Sequence, residues 1–297
     1  MHRIQLISLY CHICDWYDSH LSWQIQRFSP NGHSGQITDQ ELLTIYLYCV
    51  AYEQLFIIKN MHEHIEKYWL SWFPDMPSYQ TFNNRLNRLW PAMQELIPLL
   101  SDRLPTGSDT LPILLGDSCP IVTCMGTRKG KVAQNMTDKG YCASKKMHYY
   151  GVKLHMLSSK RPSQLPIPRK ALITKASEHD LSSMRDSLEK LNGVIVVLDK
   201  AYCDEKLAQK MEDNNSCLIT PEKNVKGEAE RTRQFEKAYR DLMVTAVAKV
   251  RQPIEALFSW MNEKTGIQSA SKVRSEQGLK LHVLGKIAAA MICMGAI

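Results

Sequence analysis

Two short aliphatic runs, each leading into a carboxylate, constrain this chain more than any other feature. ILL at 113–115 passes through Gly116 to Asp117, and VIVVL at 194–198 runs straight into Asp199. A short aliphatic run flanked by turn residues reads as a strand covered on both faces. A carboxylate at the end of such a strand is costly to desolvate unless it is paired or binds a metal. Strand ends in open sheets are also where sites collect.

Other short apolar runs follow Leu104: IVT (121–123), YYGVKLHML (149–157), KALIT (170–174) and CLIT (217–220). HDLSSMRDSLEKLN (179–192) and DEKLAQKMEDNN (204–215) read as helices between strands. Strands first, then alternating strand and helix, imply a mixed α/β sheet flanked by helices. The last 50 residues read as helical again.

The first third reads as helical. Ile4 to Ser22 carries an apolar stripe, and SPNGHSGQ (29–36) reads as a loop. Thr38 with Glu41 three residues on is a capping-box pattern opening a helix through Val50. A further helix is expected over Gln54–Phe73. Pro74 and Pro77 break it, and Ser78 can cap the next, which carries Arg85 and Arg88 beside Phe82, Leu86 and Leu89. That helix is a candidate DNA reader of a helix-turn-helix unit, with plain helix packing as the alternative. The turn-rich PTGSDTLP (105–112) marks a boundary. The expected division is therefore 1–105, a helical DNA-binding or dimerisation domain, and 106–297.

Charge sharpens the picture. The chain carries +7 overall, yet residues 1–105 hold 7 Lys/Arg against 10 Asp/Glu. Residues 125–175 hold twelve Lys/Arg, among them Arg128, Lys129, Lys131, Lys145, Lys146 and Lys153, against the single acid Asp138. Such a segment points to a polyanion, most simply nucleic acid; a solvated basic face is the bland alternative. At 44% apolar and 23% charged, the 297 residues can bury a real core. The longest apolar run noted, Ile287–Ile297, is too short to span a membrane, and the N-terminus lacks a leader pattern. Nine scattered cysteines suit reduced thiols better than a disulfide framework. A cytoplasmic, nucleoid-associated protein is expected.

A third acid lies on a helix. Ile254, Leu257, Phe258 and Met261 form one apolar face, bordered by Glu255 and ended by Gly266. Pro253 belongs in a first turn or marks a kink. Two strand acids and one helix acid can form an oxygen-rich pocket of the kind Mg²⁺ prefers. Two such ions ~4 Å apart can drive in-line phosphoryl transfer.

These residues resemble the DDE transposases of bacterial insertion sequences, most closely the insertion sequence 982 family. The carrying segments are GDSCPIVTC, KKMHYYGVKLH, ITKASEHDLSSM, VIVVLDKAYCDEKL and VRQPIEALFSWMNEKTG. The resemblance covers nearly the whole chain. It implies an RNase H-like catalytic domain after a helical N-terminal domain, with a modest charged insertion at about 221–245. It implies the triad Asp117, Asp199 and Glu255 as catalytic residues and ligands of two Mg²⁺ ions, with Mn²⁺ able to substitute. Arg251, four residues before Glu255, carries over as a phosphate or carboxylate contact. The accompanying Tyr and Lys positions are Ala248 and Asn262 here, so those roles do not carry over. Lys200, in DKAY, is a candidate DNA contact. The implied partners are double-stranded DNA, as element ends and target, and at least a second copy of the chain.

Other signals weigh less. Cys11 and Cys14 have zinc half-site spacing but no second pair, and Ser118 lacks the setting of a hydrolytic nucleophile. Two alternatives to a transposase stay open. One is a DNA-binding repressor or inactive element product. The other is a Mg²⁺-dependent nuclease of the same fold that lacks strand transfer.

Overall fold

The computed structural model describes residues 2–25, 37–106, 112–127, 130–143, 145–221 and 230–297. The 29–36 loop, most of the 105–112 boundary, Arg128, Lys129 and positions 222–229 of the charged stretch lie outside the described residues.

The chain forms two compact units that do not follow chain order. The first gathers residues 1–105, 121–151 and 260–297, and the second gathers 106–120 and 152–259. The first of the three stretches in the first unit ends at Pro105. That unit also takes in a strand segment and the C-terminal helix.

The first unit is mainly helical. Its helices are α1 (His2–Trp16), α2 (Ser22–Ile25), α3 (Asp39–Ala51), α4 (Ile58–Tyr68), α5 (Tyr79–Arg88) and α6 (Trp90–Arg103). Thr38 opens α3 with the expected capping box: its hydroxyl accepts from the Glu41 amide at 3.2 Å, and its own amide donates to Glu41 Oε2 at 2.7 Å. Leu42 to Val50 are all buried, so α3 is covered on every side. Two expectations are corrected here. The helix expected over Gln54–Phe73 is only Ile58–Tyr68, because Gln54 adopts positive φ (53°) and breaks the chain direction. Ser78 precedes α5 but makes no side-chain cap.

The C-terminal helix α10 (Glu276–Met291) is also buried nearly all round. Gly285 lets it approach Tyr46, whose ring would lie 2.5 Å from an added Cβ. The helical stretch Glu276–Ala296 is long and apolar enough to cross a membrane, which the reading of Ile287–Ile297 alone missed. However, 78% of its apolar window is buried inside the protein, as in a core helix.

Among the described residues, six strands form one mixed sheet: β1 (Ile113–Met125), β2 (Asp138–Cys142), β3 (Met147–Arg161), β4 (Gln164–Lys175), β5 (Ile195–Val197) and β6 (Cys217–Ile219). The order is β2-β3-β1-β5-β6, with β4 also on β3. β2 and β4 run antiparallel to β3, while β1, β5 and β6 are parallel. The runs ILL and IVT belong to one continuous strand rather than two. β2 was not legible, because DKGYC has no apolar pattern.

In the second unit, α7 (Asp180–Leu188) follows β4 and leads into β5, and α8 (Glu205–Asp213) connects the parallel β5 and β6. Their apolar faces bury Met184, Leu188, Leu207 and Met211 against Leu114, Leu157, Val196 and Leu198. Helix α9 runs from Glu230 to Thr265. Of the two settings expected for Pro253, a first turn or a kink, the first is excluded, because it lies well inside this helix.

Candidate active site

The parallel register of β1 and β5 explains why two acids 82 residues apart in sequence become neighbours. Leu115 pairs with Val197, so Asp117 and Asp199 each lie two residues beyond a paired position. Side chains two apart on a strand share a face. A close approach supports this geometry: a Cβ on Gly116 would meet the side chains of Leu198 and Leu157.

Arg251 of α9 sits with these acids. Its Nη2 donates to Asp117 Oδ2 at 3.0 Å, and Nη1 lies 3.7 Å from Asp199 Oδ1. The arginine is buried, and its Nε has no hydrogen-bond partner. Asp117 Oδ1 accepts from the Ser118 amide at 2.8 Å. Asp199 caps a 3₁₀ turn (Lys200–Tyr202), and its Oδ1 accepts from the Lys200 amide at 2.6 Å. Glu255 is exposed, one helical turn beyond Arg251.

Burial pushes the Asp117 carboxyl up to about 6, and the charges of Asp199 and Glu255 add to the rise. The Arg251 guanidinium and the Ser118 amide oppose it. Tyr202, with a buried hydroxyl lacking a hydrogen-bond partner, is raised mainly by burial and also by Asp180 and Asp117. An open cleft of about 820 Å³ adjoins this cluster, bounded by Asp199, Lys200, Val247, Ala248 and Arg251.

The donor set is hard oxygen, and two of its carboxylates already share one cationic partner, a guanidinium. That arrangement fits a divalent cation in type. Among the described residues no three His, Cys, Asp or Glu side chains stand close enough to hold an ion together. Cys11 is exposed and Cys14 partly buried.

The expected DNA-contacting cations fall into different settings. Lys131, Lys145 and Lys146 are exposed and belong to the first unit; Lys145 also donates to Gln268 at 2.7 Å. Lys200 is exposed at the cleft. Lys153 instead binds Asp180 at 2.6 Å and the Glu178 carbonyl at 2.9 Å. Arg85 pairs with Asp39 at 2.8 Å and donates to the Ile37 carbonyl, while Arg88 is exposed.

Sequence reading missed Asp180. This first residue of α7 accepts from Lys153 and, at 3.4 Å, from the Ser118 hydroxyl, and buried His155 lies 4.0 Å away. Burial lowers His155 to about 4. The available signal was the acid at the start of the helix in KASEHDLSS, one crossover after the basic strand.

The transposase DDE domain family model matches residues 112–292, more than half of the chain. The chain belongs to that family. A search of curated proteins gives no match to it.

Proposed function

We propose that this transposase binds the inverted repeats at its element's ends, cleaves to free 3′-OH groups and joins them to target DNA. The observation that supports this best is Arg251 lying against both Asp117 and Asp199, which marks a carboxylate pair built to receive positive charge. The sheet, with its parallel β1-β5-β6 half and antiparallel β3-β4 edge, is consistent with an RNase H-like domain.

Asp117 and Asp199 would hold Mg²⁺ or Mn²⁺, and Glu255 would complete the ligand set from α9. When bound, two such ions would supply Lewis-acid activation of the attacking oxygen and stabilisation of the leaving one. The chain's own groups do the rest. Arg251 offers a planar, permanently charged fork for a phosphate or for the carboxylates. Lys200 places a second cation on the exposed turn beside the cleft. In each step one P–O bond forms as another breaks: water attacks at the element end, and the freed 3′ oxygen then attacks a target phosphorus. The second step needs two ends held together, hence at least two protomers. The domain reading of a helical DNA-binding or dimerisation part, a catalytic part and a charged insertion at about 221–245 serves this scheme.

The test uses purified wild type and Asp199→Asn with labelled duplex from either flank of the gene, with and without Mg²⁺. Site-specific, metal-dependent cleavage lost in the variant supports the proposal, and cleavage retained by Asp199→Asn sinks it. Binding without cleavage favours a repressor. Cleavage without joining to plasmid DNA favours a nuclease.

A further inference from the structure

The first unit contains an open groove of about 870 Å³ that includes none of the triad acids. It is lined by α5, through Tyr79, Asn83, Asn84 and Asn87, and by the 269–275 segment with Lys272 and Arg274. Lys59 and Asn60 of α4 also line it, and among the described residues no Asp or Glu does. Lys272, Arg274, Lys59 and Asn84 are exposed. Lys59 forms an exposed i,i+4 pair with Glu63 at 3.5 Å, which holds the ammonium only weakly.

The chemistry of these walls selects a partner. Three cations and no acid attract a polyanion. Tyr46, Phe56, Ile57, Ile58, Val273 and Leu281 also line the groove, while α5 adds three carboxamides to it. A carboxamide both donates and accepts, and Asn matches the N6/N7 edge of adenine in the major groove. The ten residues of α5, YQTFNNRLNR, include no acid. Gln80, Asn84 and Arg88 recur every four residues and are all exposed. Asn87 Oδ1 is buried without a hydrogen-bond partner, while its Nδ2 donates to Asn83 at 3.4 Å. Arg274 Nη1 donates to the Ser271 and Val273 carbonyls at 2.8 and 2.9 Å, which stiffens the basic segment.

We infer that α5 and the 269–275 segment form a docking surface for duplex DNA, with Asn84 facing base edges and Lys272 and Arg274 meeting phosphates. This rests on the transposase reading and names the residues that recognise the element ends. It moves the reading role from Arg85, which is tied to Asp39, to the amides.

The experiment measures anisotropy of the full chain with a flank-derived end duplex and a scrambled duplex across a salt series. Lys272→Gln/Arg274→Gln should weaken binding to both duplexes about tenfold or more and lower the salt slope by about 2. Asn84→Ala should cut the preference for the end duplex about fivefold or more and leave the slope unchanged. Arg274→Lys, which keeps charge and loses the carbonyl clamp, should keep the slope. A charge-matched control, Lys190→Gln/Lys206→Gln on exposed positions of the second unit, should do the same. Thermal melting verifies folding of each variant. Wild-type slope and preference in both groove variants would overturn the inference. If the wild type meanwhile cleaves with Mg²⁺, the transposase reading survives that result. A wild type that binds neither duplex nor cleaves removes both.

Discussion

Arg251 Nη2 lies 3.0 Å from Asp117 Oδ2, with both side chains largely withdrawn from water. The pair joins the middle of the sheet to α9 across 134 positions of sequence. It keeps a carboxylate in a place where burial alone would favour its neutral form. Replacing Arg251 by Gln should therefore raise the Asp117 carboxyl above about 6, because the charge that opposes burial is gone. Stability at neutral pH should fall by about 3 kcal/mol, the usual cost of stranding one partner of a withdrawn pair. Carboxyl ¹³C titration and urea unfolding read the two effects, and a carboxyl shifted downward would contradict the account.

Glu255 makes the opposite kind of test. It is exposed, so Glu255→Gln should leave thermal stability within about 0.5 kcal/mol of wild type. Mg²⁺-dependent cleavage should nevertheless drop by roughly 10²-fold or more, as when a transition-state contact is removed. Parallel melting and single-turnover cleavage separate the two; loss of both together would assign Glu255 a structural role.

Lys286 is buried in the first unit, where its ammonium donates to the Gly266 carbonyl at 3.1 Å. Burial lowers its pKa from 10.5 to about 7. The unfolded chain then binds more protons than the folded one between pH 7 and 10.5, so stability rises with pH across that window. The contribution is complete above 10.5 and is lost as pH falls towards 7. Lys286→Met should stabilise the protein by about 1–4 kcal/mol at pH 7. The gain should shrink towards pH 10, and urea midpoints at pH 7, 8.5 and 10 measure it. A constant difference across that range would mean that packing, not protonation, governs the site.

Arg85 binds Asp39 at the first turn of α3 and the Ile37 carbonyl just before it. Arg85→Ala should cost about 1–3 kcal/mol through these charge-assisted bonds. The salt slope of DNA binding should not move. A changed slope with unchanged stability would return Arg85 to the role that its position on α5 first suggested.

Local signals were legible where a short stretch states its own physics. Thr38 and Glu41 announced the α3 cap, and the 179–192 and 204–215 patterns gave α7 and α8 to within a few residues. The signals failed where neighbours decide. Gln54 turns with positive φ and shortens α4, although its sequence continues a helical pattern. Pro253 stays inside α9, where Val247 before it and Ile254, Leu257 and Met261 after it are buried. DKGYC became β2 by pairing with β3, a long-range partner that no local periodicity encodes.

The sequence by itself determined the chemistry available at the site. Aliphatic runs must be buried, and the acids that close them must then be compensated, so Asp117 and Asp199 stood out without any coordinates. The basic segment and the apolar helix face beside Glu255 were equally plain. Tertiary structure alone decided who compensates whom. The parallel register of Leu115 with Val197 brings the two acids side by side, and α9 delivers Arg251 to them. The same packing commits Lys153 to Asp180 and Arg85 to Asp39, and leaves the amides of α5 lining a groove. Charge type is written residue by residue, but pairing is a distance, and only the folded chain sets distances between residues far apart in sequence.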